Sequence, residues 1–157
     1  MIFIIVFAIL SLDQLSKFLI TKNLPLNDSV PVIKGIFHFT LVHNRGAAFG
    51  ILRNQLPLFI VTALFSIVLI YFALRDNRHK RIYTFSLSLI LAGAIGNLID
   101  RIFFGYVIDF LDFRVWPVFN VADSAITIGA ILLGFTILTE GKKNQNSKVI
   151  KHASDNL

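Results

Sequence analysis

The sequence predicts an all-α membrane protein: four transmembrane helices with a small external β-like cradle, in one integral-membrane domain over residues 1–157. Three observations carry that expectation. The chain is 55% hydrophobic and 15% charged, with mean hydropathy +0.74, too apolar for an ordinary soluble domain. Four stretches approach the roughly 20 mostly apolar residues that a bilayer-crossing helix needs. Between the first two, GIFHFTLVHN alternates with period two, the mark of a strand with one oily face.

The first span, 2–21, is interrupted by Asp13 and Lys17. Its opening MIFIIVFAIL would also suit a signal-peptide core, but no basic segment precedes it and no small-residue cleavage site follows, so it reads as a retained helix. Lys17 lies four residues after Asp13, on the same helix face, and an internal ion pair is expected there. Such a pair inside a bundle costs less than either charge alone. In the connection 22–55, Phe37, Phe39 and Leu41 fall on one side of a strand and His38, Thr40 and Val42 on the other. A sheet cannot lie bare in hydrocarbon, so the cradle belongs at the membrane interface. The small-residue loop 46–50 reads equally as a gate or as a simple turn.

Asn54 and Pro57 open the second span, 56–74, which has no charged residue; neither has the third, 82–99. The fourth, 121–140, starts beside Asn120. Ala92 and Gly96, like Ala125 and Gly129, are small residues four apart, which lets spans three and four approach closely. Basic residues crowd the loop 75–81 and the tail 141–157. The positive-inside bias therefore puts both termini in the cytoplasm, with 22–55 and 100–120 outside. This distribution also accounts for the net charge of +6, and without a basic stripe interleaved with aromatics no nucleic-acid partner is expected.

Which chemistry this bundle can support follows from its polar residues. There is no cysteine, which excludes disulfides and thiolate metal sites, and His38, His43, His79 and His152 have no metal-ligand spacing. No metal and no cofactor is expected. The G-x-S-x-G and H-E-x-x-H words are absent. A Ser–Lys dyad of Ser16 or Ser124 with Lys17 competes with the simpler Asp13–Lys17 pair. Instead, four of the nine acidic residues, Asp100, Asp109, Asp112 and Asp123, fall within 24 positions. Asn120 and Asp123 suit an N-cap followed by an acid in the first helical turn. Two carboxyls held close together share a proton, one pKa rising, and such a pair hydrolyses amides without metal or serine. Spacing leaves open which of Asp100, Asp109 and Asp112 pairs with Asp123. A scaffold, or a proton-coupled transporter relaying through Asp13, Asp109 and Asp123, is the alternative class.

At these residues the chain resembles the bacterial lipoprotein signal peptidases (signal peptidase II). The words are DQLSK (13–17), NRGAAFG (44–50), GNLIDR (96–101), VID (107–109) and FNVADS (119–124), in order among four spans. The resemblance implies a membrane aspartic endopeptidase of the cytoplasmic membrane, with its active site near the outer face. It would cleave diacylglyceryl-modified prolipoproteins before the lipidated cysteine, acting among membrane lipids as a monomer. It further implies Asp109 and Asp123 as the catalytic dyad. Asn44, Arg45, Asn97, Arg101 and Asn120 would line the substrate site, and Asp13, Lys17 and Asp100 would support the structure. Thirteen residues separate the two implied catalytic aspartates, a short connection whose RVWP (114–117) would hold Trp116 at the interface.

Overall fold

Hydrocarbon offers no partner for a backbone N–H or C=O, so an apolar chain crossing it must satisfy its own hydrogen bonds as helix. The computed structural model describes residues 1–46, 51–52, 54–76 and 81–154. Among these, α1 (Ile2–Asn23), α2 (Leu56–Asp76), α3 (Arg81–Phe104) and α4 (Val121–Ser154) are helical. The strands are β1 (Ser29–Ile33), β2 (Phe37–Asn44) and β3 (Val107–Asp112). All four helices contain a segment long and apolar enough to cross a membrane. In α4 that segment is Val121–Thr139, and the backbone helix runs on to Ser154 through the polar tail. Residues 47–50 of the small-residue loop and 77–80 of the basic loop lie outside the described residues.

Helix α3 is the centre of the bundle: 56% of its apolar segment is buried, against 6–22% in the other three. It packs on α1, α2 and most extensively on α4. Small residues make that approach possible. A β-carbon on Gly93 would run into the Ala122 carbonyl oxygen, and one on Gly129 would stand 2.7 Å from the Ser86 carbonyl. Gly96 leaves room for Asp13, whose Oδ2 would be 2.6 Å from a β-carbon there. The expected pairs Ala92–Gly96 and Ala125–Gly129 thus lie at the contact, with Gly93 and Ala122 added to them.

The strands form one antiparallel sheet in the order β1-β2-β3. β1, with Pro31 at its centre, is a fully exposed edge, a position that tolerates the missing N–H. Between Phe39 and Val42 the β2–β3 register takes in one extra residue on β2, a bulge that interrupts the simple alternation. Leu41 and His38, expected on opposite sides, are both buried. From Val42 onward the faces are settled: Asn44, Val107 and Asp109 look into one cavity, while Leu41 and Ile108 pack with Leu24 at the end of α1. β3 is a strand that sequence periodicity does not reveal, because Val107–Phe110 are buried on both faces and carry no alternation. Gly105, at φ +77°, makes the turn from α3 into it.

Candidate active site

A single backbone bridge assembles the polar cluster. Phe119 accepts from the N–H groups of Phe110 (2.9 Å) and Leu111 (2.8 Å) and donates to the Leu111 carbonyl (3.1 Å), which fixes the start of α4 against β3. The next residue, Asn120, caps α4: the Asp123 N–H donates to Asn120 Oδ1 at 2.9 Å, and the Asn120 N–H donates back to Asp123 Oδ2 at 3.3 Å. The same side chain, wholly buried, points its Nδ2 at Asp109 Oδ1 (2.7 Å) and at Asn97 Oδ1 (3.1 Å). Asn44 Nδ2 donates to the other Asp109 oxygen at 2.9 Å, and Asn97 Nδ2 donates to Asp123 Oδ1 at 2.7 Å. Three amides therefore hold Asp109 and Asp123 in one network, with Asn120 touching both.

The other two acidic candidates point elsewhere. Asp100 accepts from Lys17 (2.8 Å), from Gln14 Nε2 (3.1 Å) and from the Ile108 N–H (3.1 Å). Asp112 accepts from the Thr40 hydroxyl at 2.6 Å and from the Arg114 N–H at 2.8 Å. Among the described residues, only Asp109 of the three possible partners is joined to Asp123 through Asn120, whose side chain donates to Asp109 and whose backbone N–H donates to Asp123.

Below this cluster Lys17 is buried between two carboxylates, 2.8 Å from Asp13 Oδ2 and 2.8 Å from Asp100 Oδ2, and it donates to Asn97 Oδ1 at 3.2 Å. Asp13 also accepts from the Ala122 N–H at 2.9 Å, satisfying one of the free donors in the first turn of α4. The Ser–Lys alternative finds no geometry here: Ser16 donates to the Asp13 carbonyl and Ser124 to the Asn120 carbonyl, each within its own helix.

Asn44, Asn97, Arg101, Asp109, Trp116 and Asp123 line a cavity of about 260 Å³. The Arg101 guanidinium also lies 4.8 Å above the Phe59 ring of α2, so its position is fixed by a cation–π contact rather than by reach toward headgroups alone. Arg45 is exposed and is not among the described residues lining this cavity. Asn120 is not among the described residues lining the cavity and hydrogen-bonds to Asp109 and Asp123 from behind it. Gln14, which touches both Asp13 (3.1 Å) and Asp100 (3.1 Å), escapes sequence reasoning although a polar side chain inside an oily span is itself a signal.

Electrostatics separates the two acids of β3. Burial, and then the nearby charge of Asp123, push the Asp109 carboxyl up to about 7 from an ordinary 3.8, against the opposing pull of Asn44, Asn120 and Lys17. Burial works on Asp112 too, but Thr40, the Arg114 N–H and the Arg114 charge together hold it below its ordinary value. A carboxyl that keeps its proton near neutrality beside a second carboxyl can give and take one proton. No group of three His, Cys, Asp or Glu side chains among the described residues is placed to hold a metal ion.

Residues 5–139 match the model of a family described as signal peptidase (SPase) II. The chain belongs to the signal peptidase II family. A lipoprotein signal peptidase of Halothermothrix orenii is 51% identical over 85% of this chain and 92% of its own length. One from Moorella thermoacetica is 50% identical over 83% and 87%. Two solved bacterial membrane enzyme structures share the fold: one has TM-score 0.87 and 31% identity over 90% of both chains, the other TM-score 0.81 and 32% identity over 87% and 92%. Membership in the signal peptidase II family makes this chain a peptidase, hence a hydrolase, and with its four spans a multi-pass membrane protein. The transporter and scaffold readings give way to it.

Proposed function

We propose that this signal peptidase removes the signal peptide from diacylglyceryl-modified prolipoproteins, cutting before the lipidated cysteine, and that Asp109 and Asp123 form its aspartic dyad. The relatives' name, lipoprotein signal peptidase, supports the substrate class. The observation that carries the chemistry is the shared amide network: Asn120 binds both acids at one cavity, where Asp109 holds its proton up to about 7. In the reaction, Asp123 is the carboxylate that takes a proton from water, and the new hydroxyl oxygen bonds to the scissile carbonyl carbon. Protonated Asp109 donates to the carbonyl oxygen as negative charge develops there. Collapse of the tetrahedral intermediate breaks the C–N bond, and the leaving amine takes the proton from the dyad.

Asn44, Asn97 and Asn120 hold the two carboxyls in register for this exchange. Arg101, fixed over Phe59, offers the guanidinium fork that suits paired oxygens of the substrate backbone or lipid ester. Asp13, Lys17 and Asp100 support the bundle beneath. The lipid and the apolar signal helix stay in the bilayer, which suits a site at the outer face of the cytoplasmic membrane, with both termini inside.

The deciding experiment is cleavage of a lipidated prolipoprotein peptide by purified enzyme. Asp109→Asn and Asp123→Asn should each abolish turnover while leaving a folded, membrane-inserted protein. Near wild-type turnover in either variant would falsify the assignment.

A further inference from the structure

The connection between β3 and α4 carries a polar clamp that the cleavage chemistry leaves unused. Arg114 stands at φ +67°, in the left-handed region that a β-carbon disfavours. Its guanidinium reaches all three strands. Nε donates to His38 Nδ1 on β2 at 2.8 Å, one terminal nitrogen donates to Ser29 Oγ on β1 at 3.3 Å, and the other lies 3.5 Å from Asp112 Oδ2 on β3. Asp112 closes the ring, accepting from the Arg114 N–H at 2.8 Å and from the Thr40 hydroxyl at 2.6 Å; the Thr40 and Ser29 hydroxyls are themselves 2.8 Å apart. Backbone strain of this kind persists only where the surroundings over-determine it.

Two residues further on, Trp116 lines the cavity that holds Asp109 and Asp123. It also lines a second cavity of about 350 Å³, walled by Phe113, Phe119 and the α4 residues Thr127 and Ile128, which reaches Asp123 as well. Trp116 thus lies on both cavities, as do Phe119, Thr127 and Asp123. The stacking of Phe113 on Phe119, with ring centroids 5.9 Å apart, and the packing of Phe113 on Phe37 at 4.9 Å tie the base of the turn to the sheet. The polar clamp fixes its arm.

We infer that Arg114 is a positioning residue: by pinning the 113–118 turn to the sheet it holds Trp116 on both cavities, where it seats the substrate's apolar groups beside Asp123. The inference rests on reading this cavity as the peptidase site. It has a chemical handle in His38, whose Nδ1 accepts the Arg114 Nε–H through its lone pair. The charged groups facing His38 are Arg114 from the turn and Asp112 from the opposing position on β3.

The test measures kcat and KM of the enzyme in lipid, with a lipidated prolipoprotein peptide. Arg114→Gln should raise KM about tenfold and leave kcat within about twofold, the scale of one lost charge-assisted hydrogen bond. His38→Leu should reproduce that rise. His38→Gln, which keeps a neutral acceptor, should hold KM near wild type. A lowered melting temperature with unchanged KM in Arg114→Gln, or a KM raised as far in His38→Gln as in His38→Leu, overturns the inference. Should Arg114→Gln not fold, the two His38 variants decide it. Failure of the dyad reading is seen separately, as retained turnover in Asp109→Asn.

Discussion

Asp109 is where a single side chain sets a pH limit. Its carboxyl titrates at about 7 when folded and near 3.8 when not. Between those values the folded protein holds a proton that the unfolded chain has released, so stability falls as pH rises from about 4 to about 7 and is level above, a loss of order 4 kcal/mol. Asp109→Asn is neutral throughout, so its melting temperature should exceed that of wild type by a margin that grows across this window and then stays constant. A margin independent of pH would show that Asp109 ionises normally. On the proposed mechanism, turnover of the wild type should decline as pH passes about 7, where Asp109 gives up its proton. Lys17 makes the opposite case. Replacing it by Met leaves Asp13 and Asp100 buried without a counter-charge and should cost roughly 3–5 kcal/mol, read as a fall in melting temperature. The Asp13–Lys17 pair is legible in the sequence, because four-residue spacing on a helix predicts contact, whereas Asp100 joins it by a tertiary contact that spacing does not show. The Asp109–Asp123 pairing is not legible: it depends on the Phe119 bridge, a tertiary contact, and only the family words point to it.

At the scale of elements, apolar length is enough to read the helices, and small residues four apart mark where α3 meets α4. The strands divide. β2 alternates and is legible up to its bulge; β3 is buried on both faces and has no period to read. Gly93 is equally silent, since only the packed structure shows the Ala122 carbonyl lying against it. Backbone cannot yield as a flexible side chain can, so Gly93→Ala should push α4 outward. Expected effects are a loss of about 1–3 kcal/mol and a drop in turnover, since Asp123 rides on the displaced helix. Unchanged thermal unfolding and turnover would mean that the two helices tolerate wider spacing.

For the whole molecule, orientation is the testable property. The chain has no cysteine, so a single introduced one reports its own side of the membrane. A cysteine at Lys34 should react with an impermeant maleimide in intact protoplasts, and one at Lys143 only after lysis. Labelling in the reverse order would place the cavity toward the cytoplasm. Charge in the loops is what the expected orientation rests on, whereas the placement of Arg45 is not legible in the sequence: its neighbour Asn44 enters the cavity and Arg45 is exposed.

β3 has two occupied sides, with Asp109 and Val107 on one and Ile108 against Leu24 and Leu41 on the other. Adding or removing one residue within 107–109 exchanges them, driving the carboxyl into oil and a hydrocarbon chain into the reaction chamber. Length in this stretch is therefore as constrained as identity. A lineage that depends on the enzyme should discard single-codon insertions here even when every original amino acid is still encoded.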